Sequence, residues 1–321
     1  MTDKKALPLS LTGDSAVFQR VMRTARLVSA TDTNVLIRGE SGTGKELIAR
    51  LIHEHSPRAQ QPWVALNCAA LPAELAEAQL FGYRRGAFTG AASDTDGFIQ
   101  QANKGTLFLD EIGELSLGSQ SKLLRFLEEG ECQRIGDPRP QKLDVRVLAA
   151  TNQALEERIR EGSFRVDLYY RLNIIPIDLP PLRERHGDVP RLLKHFLATL
   201  SATHGQTAPQ LSPDALLRLE QHDWPGNVRE LRNVAERCVV FMPGQIITAG
   251  DLPDEWFESI RVSESELPIR LPSTGIRLAD VEQDLITQAL DRAGANRSHA
   301  AKLLGISRDA LLYRLKKFGL V

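Results

Sequence analysis

Five short apolar runs, separated by helix-like segments, constrain the fold of this chain most strongly. They occupy residues 34–39, 63–69, 105–112, 144–152 and 173–180 and are apolar throughout. Apolar residues at three- and four-residue spacing, typical of helices, lie before and between these runs. Strands that are apolar on both faces are typical of a parallel sheet covered by helices on both sides. The sequence therefore predicts an α/β fold with a mostly parallel five-stranded sheet over residues 13–180.

The rest of the chain divides into four further parts. Strand signals stop after residue 180, and helical patterns predict a smaller helical domain over residues 181–254. Residues 255–276 mix Ser, Pro and charged residues without periodicity, which is typical of a linker. Residues 277–321 are again helical, and residues 1–12 form an N-terminal tail.

Composition limits the classes of function that this chain can have. Forty Lys and Arg against 41 Asp and Glu give a net charge of -1, so nucleic-acid binding would need a local basic cluster. The three cysteines, Cys68, Cys132 and Cys238, lack the spacing of a metal site and are predicted to be free thiols. The sequence begins without a secretory apolar core and has no apolar run of roughly 20 residues. We therefore expect a cytoplasmic protein with no membrane contact.

The stretch GESGTGKE follows the first apolar run and predicts a phosphate-binding loop. Its glycines allow backbone N–H groups to curl around an anion at a helix N-terminus, and Lys45 supplies a charge for the terminal phosphates. Glu46 stands where many such loops place a Ser or Thr hydroxyl on Mg²⁺, so metal coordination must depend on other groups. The predicted nucleotide-binding residues of this loop are Gly39, Glu40, Ser41, Gly42, Thr43, Gly44, Lys45 and Glu46.

Polar residues also end the next three apolar runs. In GTLFLDEIGEL, Asp110 is placed to hold Mg²⁺ and Glu111 to polarise an attacking water as a general base. A solvated strand end is the alternative for this pair, but its position downstream of the glycine loop favours catalysis. Asn152 could orient water or sense the γ-phosphate. Asn67 could hydrogen-bond Glu111 and hold it away from water.

Three arginines are candidates for contact with the nucleotide. Arg165 and Arg171, in FRVDLYYRL, have a spacing that suits cations presented to the nucleotide of a neighbouring subunit. Ordinary surface salt bridges are the alternative for both. Arg229 follows the helix-breaking WPGN and lies in the first turn of a predicted helix, where it could report the state of the nucleotide to the helical domain. Alternatively, it pairs with a carboxylate.

The C-terminal segment carries the basic cluster that the overall composition conceals. From Arg292 onward, seven Lys or Arg stand against one acid. A helix with the apolar stripe Leu278, Val281, Leu285 and Ala289 precedes a short second helix, a glycine-containing turn and a third helix capped by Ser307. This order predicts a helix-turn-helix, although a basic helix can also be merely a solvated face.

In the third helix we expect Leu311, Leu315 and Phe318 to face inward. The outward residues divide into candidates for base edges, Arg308, Asp309 and Tyr313, and candidates for phosphates, Lys316 and Lys317. The full set of predicted DNA-binding residues is Arg297, Ser298, Ser307, Arg308, Asp309, Tyr313, Lys316 and Lys317.

Taken together, these motifs resemble those of the sigma-54-dependent bacterial enhancer-binding proteins, a branch of the AAA+ ATPases. The likeness extends from about Leu11 to Val321: GESGTGKE resembles Walker A, GTLFLDEIGEL resembles Walker B, and GAFTGA is similar to the signature insertion of the family. The resemblance implies an AAA+ P-loop NTPase core, a helical lid, a linker and a Fis-type helix-turn-helix domain. It also implies ATP and Mg²⁺ as ligands, bound at subunit boundaries in a homo-oligomer that ranges from a dimer to a hexameric ring.

The same resemblance implies roles for individual residues. Asn67 would be the switch partner of Glu111, Arg165 and Arg171 the arginine-finger pair, and Arg229 the second sensor. Fis-type domains bind enhancer-like sites as dimers, which implies palindromic double-stranded DNA as a partner.

The GAFTGA stretch, by resemblance, contacts sigma-54 in its RNA polymerase holoenzyme. ATP-driven movement of this loop would then remodel the closed promoter complex into the open complex. Glycines serve as backbone joints and an exposed Phe88 would need a partner to cover it, although a tight turn with Phe88 in the core is the alternative. The residues concerned are Gly86, Ala87, Phe88, Thr89, Gly90 and Ala91.

Two further features depart from the usual family pattern. Gln79, Tyr83, Arg84 and Arg85 precede the signature where relatives often read ELFGHE, which makes the base of the loop more cationic. Only about a dozen residues precede the first ATPase features, which leaves no room in this sequence for the N-terminal receiver or sensor domain of most relatives. If the chain is complete, control would come from expression level, from a separate regulatory protein, or be absent; if it is part of a longer protein, the sensor has been removed.

A rival interpretation is a DNA-binding regulator that keeps the AAA+ fold only as a nucleotide-sensitive assembly module. The intact Glu111, Arg165, Arg171 and GAFTGA favour the ATP-hydrolysing activator.

Overall fold

The computed structural model describes residues 13–88, 90–256, 277–294 and 296–319. The predicted tail at residues 1–12, Thr89 and the linker beyond residue 256 lie outside the described residues. The chain divides into two compact units, Met1–Ser259 and Ile260–Val321, each of which is described by itself.

The first unit begins with an α/β domain. Its elements in chain order are α1 (Ala16–Ser29), β1 (Val35–Arg38), α2 (Lys45–Glu54), β2 (Trp63–Asn67), α3 (Ala73–Phe81), α4 (Phe98–Gln101), β3 (Thr106–Asp110), α5 (Leu117–Glu129), β4 (Glu131–Cys132), β5 (Gln141–Lys142), β6 (Arg146–Thr151), α6 (Leu155–Arg160), α7 (Val166–Leu172) and β7 (Ile175–Asp178).

Five of these strands form one parallel sheet in the order β2-β3-β6-β1-β7. Strand β1 lies between β6 and β7, and Val35 pairs with Leu148 on one side and Ile175 on the other. Each of the five strands falls within one of the predicted apolar runs, and all pairings in the sheet are parallel. The predicted α/β fold with a parallel five-stranded sheet is therefore confirmed. The antiparallel pair β4 and β5 is a separate hairpin that the sequence did not predict.

Both faces of the sheet are buried. Leu36 in β1 packs with Leu123 of α5 and Leu168 of α7 on one face. On the opposite face, Ile37 packs with Ile48 of α2, in a cluster that α1 completes. Full burial of one such side chain stabilises the fold by roughly 1.5–3 kcal/mol. This double burial explains why the strands are apolar throughout, and why their polar residues are confined to the strand ends.

A helical lid follows the sheet. It consists of α8 (Asp188–His204), β8 (Gln210–Leu211), α9 (Pro213–Gln221), α10 (Asn227–Phe241) and β9 (Ile246–Ile247). Trp224 is fully buried in the lid core, and its indole Nε1 donates a hydrogen bond of 2.9 Å to the carbonyl of Leu219. The short parallel pairing of β8 with β9 is an addition to the predicted helical pattern.

The second unit contains three helices, α11 (Leu278–Arg292), α12 (Arg297–Leu303) and α13 (Arg308–Phe318). Ser307 caps α13 as predicted, because its Oγ accepts a hydrogen bond of 3.2 Å from the Ala310 N–H. Leu311 and Leu315 are buried, also as predicted, and Phe318 packs against them half-buried.

The predicted apolar stripe of α11 is partly wrong. Ala289 is buried as expected, but Leu278 is 79% exposed and Leu285 is 38% exposed. Ile286 occupies the core in their place, together with Ala289 and Ala293. The predicted stripe and the observed stripe of Ile286, Ala289 and Ala293 both have spacings of three and four residues, so the sequence pattern does not distinguish them. The observed stripe is the one that packs against the neighbouring helices.

The lid touches the sheet domain where two glycines meet. Val228 in α10 donates its backbone N–H to the carbonyl of Gly42, at 3.1 Å, in the loop between β1 and α2. A Cβ placed on Gly42 would lie only 2.3 Å from the carbonyl oxygen of Gly226, and Gly42 has a φ of +79°. Only glycine therefore allows this close approach of lid and loop.

We expect Gly42→Ala to destabilise the protein by roughly 3 kcal/mol, because it adds a backbone clash to the cost of a left-handed alanine. Gly162→Ala is the matched control, since Gly162 has a φ of +74° and nothing within 4 Å of an added Cβ. The control should cost only about 1 kcal/mol. Chemical denaturation measures both values, and equal losses would show that the contact with Gly226 is unimportant.

Candidate functional site

A cleft opens between the lid and the carboxyl ends of the central strands. Strand β1 leads into residues 39–44 and α2, β3 ends at Asp110, and β6, which lies between β1 and β3, is followed directly by Asn152. The cleft has a volume of about 850 Å³, and its lining includes Lys45, Asp110, Glu111 and Arg229. This volume lies within the range of small-molecule and cofactor sites, roughly 300–1,000 Å³.

Lys45 is the cation on the floor of the cleft. It is the first residue of α2, and its side chain is only 7% exposed. Its Nζ donates to the carbonyls of Gly39 at 3.0 Å and Glu40 at 3.4 Å, and lies 3.7 Å from Oε1 of Glu111. Because the N-terminus of α2 leaves backbone N–H groups unpaired beside this cation, the cleft is suited to an anion.

The rest of the predicted loop surrounds this cation. Thr43 is buried with Lys45, and its Oγ1 donates to the Glu40 carbonyl at 2.7 Å. Gly44 precedes α2 as its N-cap, and Glu46 lies in the first turn of the helix and contributes to the lining of the cleft. All eight predicted residues, from Gly39 to Glu46, thus belong to one continuous turn between β1 and the start of α2.

The adjacent acids Asp110 and Glu111 differ in environment. Burial raises the pKa of Asp110, and the opposing attraction of Lys45 does not cancel this effect. Glu111 has a φ of +52°, a left-handed conformation that is costly for a residue with a side chain. Its Oε2 accepts a hydrogen bond of 3.2 Å from the backbone N–H of Asn152. The half-buried position of both carboxyl groups in the cleft distinguishes them from an ordinary solvated strand end.

The expected hydrogen bond between Asn67 and Glu111 is not found within the described part of the chain. Asn67 lies beside Asp110 in the strand pairing, but its Oδ1 accepts from the Ala69 N–H at 2.9 Å and caps a short turn. Glu111 is meanwhile held by Asn152 and lies near Lys45. In this conformation the Asn67 side chain and the Glu111 carboxylate thus have other partners, and the role of Asn67 as a switch partner of Glu111 stays a prediction.

Arg229 reaches the cleft from the lid. It lies in the first turn of α10, as predicted, and its Nη1 donates to Oγ of Ser41 at 3.2 Å. Among the described residues, no carboxylate forms an ion pair with Arg229, in contrast to the alternative that the sequence left open. Sequence reasoning missed Asn227, two residues earlier, whose amide Nδ2 donates to Glu40 and to the carbonyl of Ser41, each at 3.0 Å.

Two residues that the sequence did not indicate, Phe18 and Arg185, line another part of the cleft. The guanidinium of Arg185 lies 3.8 Å from the centre of the Phe18 ring, and both residues contribute to the lining. Asp188 accepts from Nε of Arg185 at 2.9 Å and from Oγ of Ser15 at 3.0 Å. The group joins α1 to the lid. Only the fold brings these residues together, so no local motif could have indicated them.

Arg165 and Arg171 lie at the two ends of α7, outside the lining of the cleft. Arg165 forms a two-point ion pair with Asp167, at 3.1 and 2.7 Å, and Arg171 donates twice to the carbonyl of Leu127, at 3.1 and 2.8 Å. Between them, Tyr170 is 71% exposed. The pairing of Arg165 matches the surface salt bridge that the sequence left open. The structure does not bring either arginine to the cleft of its own chain.

The GAFTGA stretch forms a turn on the surface. Gly86 and Gly90 have φ values of +81° and +104°, and the Gly86 N–H donates to the carbonyl of Ala91 at 2.9 Å. Phe88 is 37% exposed, and its ring meets Tyr83 edge-on with centroids 4.9 Å apart. The alternative in which Phe88 is buried in the core is therefore wrong. Thr89 lies outside the described residues, and Ala87, between Gly86 and Phe88, is half-buried.

The base of this turn is less cationic than expected. Arg84 pairs with Asp94 on the returning chain and with Asp137, at 2.7 Å, in the connection between β4 and β5. Its backbone N–H also donates to the Ile135 carbonyl at 2.9 Å. The charge that Arg84 adds to the usual family pattern is thus neutralised locally by two carboxylates.

The eight predicted DNA-binding residues are all exposed, and they lie along α12 and α13 and at their starts. Tyr313 is 70% exposed on α13. Lys317 Nζ lies 3.6 Å from Oε2 of Glu282 in α11, and Arg314 binds the other oxygen of that carboxylate at 2.6 Å. DNA would therefore have to compete with Glu282 for Lys317.

Three segments of the chain match known protein families. Residues 11–178 match the Sigma-54 interaction domain, residues 183–267 match the AAA+ ATPase lid domain, and residues 277–318 match the Fis family of bacterial regulatory proteins. These segments correspond in order to the sheet domain, the lid and the helix-turn-helix.

Similarity to individual proteins covers nearly the whole chain. It is 44% identical over 328 residues to the DNA-binding transcriptional regulator NtrC of Escherichia coli (strain K12), across 96% of this chain and 70% of that protein. It is 45% identical over 312 residues to the regulatory protein AtoC of the same strain, across 97% of this chain and 68% of that protein. The chain belongs to the sigma-54-dependent transcriptional activators, with an AAA+ P-loop NTPase domain, a lid and a Fis-type helix-turn-helix.

Solved structures agree with this fold. NtrX from Brucella abortus, crystallised in complex with ADP, is similar to this chain with a TM-score of 0.71 and 34% identity, across 97% of this chain and 69% of that one. The same protein in complex with ATP has a TM-score of 0.71 and 33% identity, across 96% of this chain and 69% of that one. Within the described part of the chain, no helix combines the length and apolar character needed to cross a membrane.

We expect Asp110→Asn to raise the thermal midpoint of the nucleotide-free protein at neutral pH. The folded-state pKa of Asp110 is raised by burial, so its ionised form disfavours folding, and stability increases as pH falls through that pKa. A neutral amide removes this cost at all pH values, so the gain should shrink toward acidic pH. Thermal unfolding from pH 4 to pH 8 measures the effect, and a lower midpoint at neutral pH would contradict it.

Proposed function

We propose that this chain hydrolyses ATP in a homo-oligomeric ring and uses the energy to open promoter complexes of the sigma-54 RNA polymerase holoenzyme. The observation that carries the proposal is the convergence of Lys45, Asp110, Glu111 and Arg229 on one cleft, although they come from three separate parts of the chain. Anion binding, metal binding, water activation and a sensing arginine are the functions that ATP hydrolysis requires.

Binding would use the N-terminus of α2 and Lys45. To meet the β- and γ-phosphates, Nζ of Lys45 leaves the carbonyls of Gly39 and Glu40, which it now contacts at 3.0 and 3.4 Å. The half-buried Asp110 carboxyl suits Mg²⁺, because burial has already raised its pKa and a cation would offset the cost of its charge. Bound Mg²⁺ would neutralise charge on the phosphates.

Water activation is assigned to Glu111. The hydrogen bond from the Asn152 N–H fixes one carboxylate oxygen and leaves Oε1 directed toward Lys45, at 3.7 Å. The side-chain amide of Asn152, next to this bond, would orient the water or sense the γ-phosphate. Asn67 would act as the switch partner of Glu111 in another nucleotide state, after it releases the Ala69 N–H.

Arg165 and Arg171 would act on the nucleotide of a neighbouring subunit. Arg165 directly precedes α7 and Arg171 lies in its last turn, both away from the cleft of their own chain, so a contribution to hydrolysis requires a second copy. Arg165 would exchange its surface pair with Asp167 for the transferred phosphate. An arginine supplied in this way is worth about 10³–10⁵ in rate in related phosphoryl-transfer enzymes. The ring would be a hexamer, as is typical of the family.

The GAFTGA loop would transmit the movement to sigma-54. Gly86 and Gly90 provide backbone joints, and Phe88 presents an apolar ring whose exposure a docking partner would relieve. The edge-on contact with the Tyr83 ring would hold Phe88 against its own chain until sigma-54 replaces Tyr83 as the partner of the ring.

The Fis-type helices would bind palindromic enhancer DNA as a dimer. Arg308, Asp309 and Tyr313 are assigned to base edges, and Lys316 and Lys317 to phosphates.

Glu111→Ala should lower steady-state ATP turnover by about 10²–10⁴, because it removes the general base, while ATP binding is retained. Phosphate release and the binding of a fluorescent ATP analogue measure the two effects. Equal turnover in variant and wild type, at a level no higher than background, would favour the rival function of a nucleotide-sensitive assembly module.

Thr89→Ala should leave ATP turnover within about twofold of wild type but abolish open-complex formation, because the described residues of the GAFTGA loop do not line the cleft. In vitro transcription from a sigma-54 promoter with ATP, and with a non-hydrolysable analogue as control, measures promoter opening. Loss of ATP turnover together with promoter opening would mean that the loop is needed for the structure of the ATPase itself.

A further inference from the structure

One fully buried amide joins the lid to the phosphate-binding loop. Asn227 has no exposed surface, and its φ of +53° is left-handed, a conformation that a side chain normally disfavours. Its Nδ2 donates to Oε2 of Glu40 at 3.0 Å and to the Ser41 carbonyl at 3.0 Å, and its Oδ1 accepts from the Leu182 N–H at 2.7 Å. A single side chain at the start of α10 thus binds both the loop and the backbone of Leu182.

Glu40 is held a second time from the lid side. Both of its oxygens accept from Arg183, at 2.9 and 2.5 Å, in a two-point ion pair. This pair, followed by the bond from Asn227, holds the pKa of Glu40 below its usual range, so the carboxylate is ionised at neutral pH. Because both oxygens are engaged by Arg183, Glu40 is not free to serve as a metal ligand or a general base.

The backbone of Glu40 faces the phosphate site. Its carbonyl accepts from Lys45 Nζ and from Thr43 Oγ1. When Lys45 moves to bind phosphate, this carbonyl loses one of its donors. A change at the phosphate site therefore reaches a loop residue whose carboxylate is bonded to the lid through both Arg183 and Asn227.

The same contacts determine the position of Arg229. It follows Asn227 by two residues in the first turn of α10 and reaches the loop at Ser41, the residue after Glu40. Between them, Val228 donates its N–H to Gly42. The start of α10 is thus bonded to three consecutive loop residues: to the carboxylate of Glu40, to the hydroxyl of Ser41 and to the backbone carbonyl of Gly42.

We propose that Glu40 is a positioning residue which, through Asn227 and Arg183, fixes Arg229 against the phosphate-binding loop and couples the lid to the bound nucleotide. The proposal rests on the proposed nucleotide-binding function and adds a path through the loop itself. It assigns sensing to a pair, Glu40 and Arg229, and not to the arginine alone.

A double-mutant cycle tests this coupling. The variants are Glu40→Gln, Arg229→Ala and the double variant, and the readouts are the Kd of a fluorescent ADP analogue and the KM and kcat for ATP. Glu40→Gln should weaken ADP binding about threefold to tenfold, because the amide loses the charge-assisted pair with Arg183. We expect kcat to change less than KM, since Glu40 does not touch the reacting atoms.

The double variant gives the decisive result. If Glu40 acts by positioning Arg229, its substitution should cost little once Arg229 is absent, so the double variant should bind ADP about as weakly as Arg229→Ala. Losses in the two single variants that multiply in the double variant would overturn the proposal. A lower thermal midpoint in Glu40→Gln with unchanged ADP affinity would also overturn it, because it would show a purely structural role.

Two controls make the test specific. Arg125→Ala removes an exposed ion pair with Glu129, at 2.9 Å on α5, and should leave ADP affinity unchanged. Arg183→Ala removes the partner of Glu40 and should reproduce the ADP affinity of Glu40→Gln, and wild-type affinity in this variant would count against the coupling.

The outcomes also separate this proposal from the proposed function. ADP binding does not require hydrolysis. If the wild-type protein lacks ATP turnover but the cycle still shows coupling of Glu40 and Arg229 in ADP binding, this inference stands and the proposed ATPase activity is overturned. Normal turnover with independent effects of the two substitutions would overturn only the coupling, whereas absence of ADP binding in the wild type would overturn both.

Discussion

The close backbone approach between the phosphate-binding loop and the lid is the contact on which the site depends. The cleft has the sheet edge as one wall and the lid as the other, and the two meet where Gly42 faces Gly226. A side chain at Gly42 would separate them and displace Arg229 from Ser41, since both contacts lie at the start of α10. A steric requirement at one glycine thus sets the position of Arg229.

The residues proposed for chemistry occupy positions that are unfavourable for folding alone. Glu111 has a left-handed backbone, and Asp110 is an acid whose pKa is raised by burial. The apolar cores on both faces of the sheet can tolerate such local costs, because each buried strand residue contributes of the order of 1 kcal/mol or more. Strain of this kind concentrates where the geometry serves binding or catalysis.

The sequence allowed prediction of features that depend on neighbouring residues along the chain. The five strands, the turn before α2, the position of Arg229 at the start of α10 and the Ser307 cap all follow from short patterns whose physical effect is local. Predictions that depended on packing were less accurate. The buried face of α11 was assigned partly wrongly, because Ile286 and not Leu285 lies in the core.

By itself, the sequence determined the fold class, the order of the domains and the family, because apolar periodicity and contiguous motifs express these properties. Only the tertiary structure decided which distant residues meet. Glu40 and Asn227 are 187 positions apart, and Arg84 is neutralised by Asp137, 53 positions away. Such pairs depend on how the lid and the loops are placed in space, and no short-range pattern specifies that placement, because contacts of this length form only when the whole chain has packed.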